Sequence, residues 1–200
     1  MNLQNNWIIV SYYTSNYKEI AKTYLEFSLK KFNLKYYIEP IENKGSWKLN
    51  TDFKPIFIQQ CLQKFKENIV FCDVDATFNS YPELFNSIPQ EFDIGVHTLD
   101  PFLLFGHNKI PKHIASGTLY IKNNERIFTL IDKWISFLPT VRWEQKALEK
   151  AIILMPEIKV YDLPREYCYI VSKPDFSPPN IPLINPIISH FQCSREMRNK

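Results

Sequence analysis

The sequence predicts an α/β fold, helices packed on a mostly parallel sheet, and three observations carry the prediction. A strand, a helix and a second strand follow one another within the first 40 residues. That is the order of a βαβ unit, whose strands lie parallel in one sheet. Further short apolar runs then alternate with stretches of helical periodicity. The third observation is the run Ile69 to Phe78, Ile-Val-Phe-Cys-Asp-Val-Asp-Ala-Thr-Phe, in which apolar residues end abruptly in two carboxylates flanking a valine. Such a run reads as a buried strand. Asp73 and Asp75 therefore sit at its carboxyl end, the edge of an open α/β sheet where ligands bind.

Size and charge bound the alternatives. With 200 residues, 45% of them hydrophobic, the chain can bury one substantial core. No repeat, low-complexity tract or Gly/Ser linker marks a second domain. A net charge of +3 is too small to predict a nucleic-acid partner. The cysteines (Cys61, Cys72, Cys168, Cys193) lie far apart without Cys-x-x-Cys spacing, which fits buried thiols in a reducing compartment better than disulfides or zinc. Trp7 to Val10 is too short, and lacks the basic flank, for a secretion signal. No stretch approaches a membrane span, and the expected address is the cytoplasm.

Taken in order, Trp7 to Val10 is the first strand, breaking at a polar turn, Ser11-Tyr12-Tyr13-Thr14-Ser15-Asn16. Tyr17, Ile20, Ala21, Tyr24, Leu25, Leu29 and Phe32 keep helical spacing, and Asn16 with Glu19 has the form of a capping box. Lys35 to Ile38 is the second strand, closed by Pro40. Parallel pairing places the Ser11 to Thr14 loop on the rim that carries Asp73. Asn43 to Trp47 is a loop. The next helix opens at Phe53-Lys54-Pro55, where proline suits the first turn, and buries Ile58, Cys61, Leu62 and Phe65. Lys54 stands at a helix start, where backbone N–H groups already favour anions; a solvated lysine is the competing reading.

Beyond the Asp73 strand, Tyr81 to Phe85 is a helical turn and Asp93 to Val96 a short strand. His97 to Lys112, with prolines at 101 and 111, reads as irregular, the kind of long stretch that carries function or moves. His97, His107 and His113 lack ligand spacing and read as surface or groove residues. Ala115-Ser116-Gly117 is a small-residue turn before an apolar strand, where a ligand can approach the backbone closely. Asn124 to Phe137 is a core helix. Trp143-Glu144-Gln145 opens another, with a carboxylate and an amide near its start; Trp47 and Trp143 suit packing and sugar platforms equally. Ile158 to Leu163 is a strand. Five prolines between Lys173 and Pro186 exclude a helix there. At about 3 Å per residue that segment spans on the order of 40 Å, enough to carry His190 back to the rim.

Carboxylates one residue apart at a strand end are hard oxygen donors suited to Mg²⁺ or Mn²⁺ carrying phosphates; a pair of surface aspartates is the bland alternative. Two families offer matching patterns. Asp73-Val74-Asp75-Ala76-Thr77 resembles the first motif of haloacid-dehalogenase-type phosphatases, with Asp73 as nucleophile and Asp75 as general acid. That chemistry needs further closely spaced carboxylates for Mg²⁺, and Asp93, Asp100, Asp132 and Asp162 are isolated.

The chain more fully resembles the GT-A class of nucleotide-sugar glycosyltransferases, through the Ser11-Tyr12-Tyr13-Thr14 segment, Asp73-Val74-Asp75, Ser116-Gly117 and His190. Glu144-Gln145 looks like the Asp-Gln pair of the glycogenin-like and bacterial galactosyltransferase-like members. The resemblance implies a single Rossmann-like GT-A domain over 1–200 with a mixed, mostly parallel central sheet flanked by helices. In it, 1–80 would form the nucleotide-sugar half, 81–172 the acceptor and donor-sugar half, and 173–200 the return carrying His190. It further implies a UDP-sugar donor with Mn²⁺ or Mg²⁺, held by Asp73, Asp75 and His190, and a glycan, lipid-linked or protein acceptor. Ser11 to Thr14 would hold base and ribose, by stacking on Tyr12 or Tyr13. Lys54 and Arg195 would contact sugar or phosphate, Ser116 and Gly117 would line the donor-sugar pocket, and Gln145 or Glu144 would face the anomeric carbon. The chain departs from the family after the histidine. Members often continue with a glycine and then Lys-Pro-Trp, where this chain has His190-Phe191-Gln192-Cys193-Ser194-Arg195. A fold that binds a nucleotide sugar without turnover is the non-catalytic alternative, and in it the metal site would be dispensable.

Overall fold

The computed structural model describes residues 6–105, 111–171 and 182–194. Strand β1, Trp7–Thr14, opens with four fully buried apolar residues and continues through the segment expected to turn. Ser11 to Thr14 pair in parallel with Ile38 to Ile41 of β2, Tyr36–Ile41. Tyrosine and threonine favour extended backbone, and the buried Ser11 hydroxyl is satisfied by the Cys72 carbonyl at 2.5 Å. Pro40 lies inside β2 and does not close it. Because β2 is an edge strand, the N–H that proline lacks is not needed by a neighbour.

The next helical run comprises a 3-10 turn, Ser15–Tyr17, α1, Lys18–Ile20, a π segment, Ala21–Glu26, and α2, Phe27–Lys31. It buries Ala21, Leu25 and Leu29. The expected capping box does not form: Thr14 is the N-cap residue, and its hydroxyl donates to Asn16 Oδ1 at 2.6 Å. The loop expected at Asn43 to Trp47 ends in an additional helix, α3, Trp47–Asp52, started by Ser46, whose hydroxyl accepts from the Leu49 N–H. Helix α4, Lys54–Phe65, follows with proline in its first turn. Then come β3, Asn68–Cys72, β4, Ala76–Phe78, and a 3-10 turn, Glu83–Asn86.

Two expected irregular stretches are largely regular. Strand β5, Ile94–Leu99, takes in His97, and α5, Pro101–Phe105, follows it; His107 lies outside the described residues. Strand β6, His113–Ile121, includes the small residues Ala115 to Gly117: Ala115 pairs with His97 of β5, and the Gly117 carbonyl accepts from the Asp73 N–H. Helices α6, Glu125–Phe137, and α7, Glu144–Ile153, lie where periodicity placed them, α6 capped by Asn124. The chain ends in β7, Val160–Asp162, β8, Tyr169–Ile170, and β9, Ile188–His190. Prolines 174, 178 and 179 of the extended return lie outside the described residues.

The main sheet has the order β2-β1-β3-β6-β5-β7, and β6 runs opposite to the other strands. The sheet is thus mixed and mostly parallel. The carboxyl ends of β1 and β3 open on one rim, and reversal of β6 brings Gly117 and Thr118 to the same place. One face packs Val10, Phe71 and Leu119 against α4, α6 and α7 through Phe57, Leu62, Trp134 and Leu148. The opposite face packs Ile9, Val70 and Tyr120 against the first helical run and a second sheet of order β4-β9-β8. That second sheet matters for the site, since it pairs Ala76 with His190. All four cysteines are free and buried, as their spacing suggested. Among the described residues no helix is long and apolar enough to cross a membrane.

Candidate active site

Where β3 ends, Asp73 to Ala76 make a tight turn, with the Ala76 N–H donating to the Asp73 carbonyl at 3.0 Å. The turn passes the chain from the main sheet to the second one. It leaves Asp73 half-exposed and Asp75 nearly buried beneath it. The Asp73 N–H is tied to the Gly117 carbonyl at 2.9 Å, and the Asp75 carbonyl accepts from Phe191 N–H at 3.1 Å. Asp75 Oδ2 accepts from the Cys193 N–H at 2.8 Å. That last bond requires the chain to bend back after His190, and Gln192 does so at φ 55°, left-handed backbone that glycine adopts most readily.

His190 is buried, with Nδ1 4.0 Å from Asp75 Oδ1 and Nε2 2.8 Å from the Thr118 hydroxyl. One ligand atom from each of Asp73, Asp75 and His190 lies within 4.8 Å of the others, the one such group of three among the described residues. Gly117 keeps the space open: a Cβ there would stand 3.1 Å from His190 Cε1, 3.2 Å from Nδ1 and 3.4 Å from Asp73 Oδ2. The charges suit a cation. Burial and the neighbouring Asp73 push the Asp75 carboxyl up to about 6, repulsion that a divalent ion relieves. Burial brings His190 down to about 4, against the pull of Asp73, so its imidazole is neutral and offers a lone pair. Two hard carboxylates and a neutral imidazole around a gap with no side chain fit Mn²⁺ or Mg²⁺.

Beside this cluster lies Lys54, buried and paired at the wall of the cleft and not solvated. Its Nζ is 2.8 Å from Glu144 Oε1, 3.2 Å from Asp73 Oδ1 and 3.0 Å from the Ser116 carbonyl, above the Phe71 ring. Burial alone would lower its pKa, but the Asp73 and Glu144 carboxylates outweigh burial and hold it above the usual lysine value. Glu144 also accepts from the Ser116 hydroxyl at 2.6 Å. Burial raises its pKa against the opposing pull of Lys54. Its second oxygen, Oε2, is buried with no protein partner, a polar atom ready to accept from a ligand.

Tyr12, Tyr13, Thr14, Lys54, Asp73, Asp75, Ser116, Gly117, Glu144, Gln145 and His190 all line one cleft of about 560 Å³. Ser11 is the exception, a buried side chain bonded to Cys72 and absent from the lining. Tyr12 reaches the cleft, but its ring is locked among Phe53, Phe57 and Phe71 and its hydroxyl donates to the Asn50 carbonyl at 2.7 Å. Arg195 lies outside the described residues. Sequence reasoning passed over Tyr17, Asn50 and Thr51, which also line the cleft. Asn50 and Thr51 belong to α3, and the unrecognised helix explains the omission. The Ser46 cap was the signal available for it.

A family model described as nucleotide-diphospho-sugar transferase matches residues 2–200. Among solved structures, a glycosyltransferase involved in glycosylation of the major capsid of PBCV-1 superposes with a TM-score of 0.66 at 16% identity, covering 96% of this chain and 97% of that one. Mouse xyloside xylosyltransferase 1 gives a TM-score of 0.60 at 11% identity over 94% of this chain and 98% of that one. Galactosyltransferase LgtC, in complex with donor and acceptor sugar analogs, gives 0.53 at 12% identity over 92% and 87%. The fold is that of the GT-A glycosyltransferases. A sequence search of curated proteins finds no match. The phosphatase reading of Asp73 is not supported: the family match points elsewhere, and no further carboxylate joins the cluster among the described residues. Glu144, the other buried carboxylate nearby, is paired with Lys54.

Proposed function

Because this chain belongs to the nucleotide-diphospho-sugar transferase family and is a glycosyltransferase, we propose that it transfers a sugar from a UDP-sugar with the help of Mn²⁺ or Mg²⁺. The observation that carries this reading is the convergence of Asp73, Asp75 and His190 on the floor of the cleft. These three residues hold the cation, which when bound neutralises the negative charge gathering on the leaving diphosphate.

The protein's own groups do the rest. Tyr13, Thr14 and Tyr17, at the end of β1 and just beyond it, flank the base and ribose; Tyr12 supports that wall from behind. Lys54 holds Asp73 and Glu144 in place and offsets their charge. Gly117 and Ser116 form the wall of the donor-sugar pocket, Gly117 by leaving space and Ser116 by fixing Glu144. Gln145 and Glu144 face the anomeric carbon, with Glu144 Oε2 accepting a hydrogen bond from the donor sugar. Trp47 and Trp143 line the same cleft, Trp143 being 40% exposed, and offer aromatic faces to a glycan, lipid-linked or protein acceptor. In this reading 1–80 is the nucleotide half, 81–172 the acceptor and donor-sugar half, and 173–200 the return that carries His190. The enzyme works in the cytoplasm without a nucleic-acid partner.

A thermal-shift panel of nucleotide sugars with and without Mn²⁺ tests the proposal, since a ligand that binds the native state raises its stability, by about 2.7 kcal/mol at a hundredfold excess over Kd. The expected result is a shift for a UDP-sugar with Mn²⁺ that exceeds the shifts of either alone. No shift with any nucleotide sugar would contradict it.

A further inference from the structure

We propose that Thr118 is the positioning residue of the metal centre, its hydroxyl holding the His190 imidazole in the neutral tautomer whose Nδ1 lone pair faces Asp73 and Asp75. The inference rests on the metal-site reading given above. Thr118 and His190 come from different sheets. Thr118 is fully buried in β6 and paired with Cys72, so the main sheet fixes its backbone. As a β-branched residue it also has few side-chain rotamers open to it. His190 arrives on β9, in the second sheet. The 2.8 Å contact between Thr118 Oγ1 and His190 Nε2 therefore ties the two sheets together at the site.

The ring faces the cluster with its other nitrogen. Nδ1 is the atom 4.0 Å from Asp75 Oδ1, and it borders the gap left by the missing Gly117 side chain. A neutral imidazole carries one proton. On Nδ1 it would point at the carboxylates and block a cation; on Nε2 it is donated to Thr118 and leaves Nδ1 free. The threonine oxygen can receive it, since a hydroxyl carries two acceptor lone pairs beside its own proton. The hydroxyl oxygen thus accepts from the imidazole, and a ring held in this way is set for coordination before an ion arrives.

The test measures Mn²⁺ binding to the full chain by electron paramagnetic resonance of the free ion, in wild type, Thr118→Val and Thr118→Ser. Valine keeps the branched shape and removes the hydroxyl, and is expected to weaken Mn²⁺ binding ~10–100-fold, with serine close to wild type. Nitrogen NMR of the metal-free wild type, which needs no variant, is expected to show His190 protonated on Nε2. Valine binding Mn²⁺ within about twofold of wild type, even with a lowered melting temperature, would overturn the inference and leave Thr118 a structural residue. A proton on Nδ1 in the metal-free protein would overturn it equally. Wild type that binds no Mn²⁺ would instead overturn the metal-site reading itself, and this inference with it.

Discussion

Asp75→Ala is expected to reduce Mn²⁺-dependent UDP-sugar hydrolysis or transfer by roughly 10²–10³-fold or more, the scale seen when a group stabilising transition-state charge is removed. Asp75→Asn is expected to do the same while leaving the fold in place. The asparagine carbonyl can still accept from the Cys193 N–H that now donates to Oδ2. It also removes a charge that burial and Asp73 disfavour, the reason this carboxyl is pushed up to about 6. A folded-state pKa raised in this way means that ionising Asp75 costs stability, and the cost is incurred as pH rises through that value. Metal-free Asp75→Asn is therefore expected to melt no lower than wild type at neutral pH. Rates and thermal melts on the two variants separate loss of chemistry from loss of fold. Full activity in either variant would remove Asp75 from the metal site.

Lys54→Met is expected to be the most damaging single change to stability near the site. The lysine is 3% exposed and holds Asp73, Glu144 and Ser116 together. Removing one partner of a buried pair leaves the other charge uncompensated, which costs about 3–5 kcal/mol. At this chain length that lowers the melting temperature by on the order of 10 °C. Because most of the loss comes from the stranded Glu144, the double variant Lys54→Met/Glu144→Gln is expected to recover a large part of it. Both variants are expected to be inactive, since Asp73 and Glu144 lose the group that positions them. Thermal and denaturant melts check the stability claims. A Lys54→Met protein as stable as wild type would show that the network contributes nothing to the fold.

The contrast between these two residues shows how much of the site could be read from the chain. Asp73 and Asp75 announced themselves because the signal is local: two carboxylates directly after a buried apolar strand mark a ligand-binding sheet edge within a few residues of sequence. His190 needed the family resemblance, and the sheet that buries it, β4-β9-β8, is made of strands too short to leave a pattern. Lys54 could be placed at a helix start, but its partners lie on a strand end, in β6 and at the start of α7. Nothing near it in sequence shows that it is buried. The same limit explains β1 and β6. Ser11 to Thr14 and Ala115 to Gly117 look like turns because their residues are polar or small, and only pairing with Ile38 to Ile41, with β5 at Ala115 and with the Asp73 N–H at Gly117 makes them strands. Gln192 gives no sequence hint of its left-handed backbone, which follows from Asp75 needing the Cys193 N–H. Helix periodicity, by contrast, located α4, α6 and α7, whose apolar faces form one core.

The central claim, that Asp73, Asp75 and His190 hold a divalent cation which binds the diphosphate of the donor, is tested most directly by calorimetric titration of UDP into the protein, with Mn²⁺ and again with a chelator. The expected result is binding at least about tenfold tighter with Mn²⁺, equivalent to about 1.4 kcal/mol, with the difference lost in Asp75→Asn. Equal affinity for UDP in the presence and absence of Mn²⁺ would contradict it.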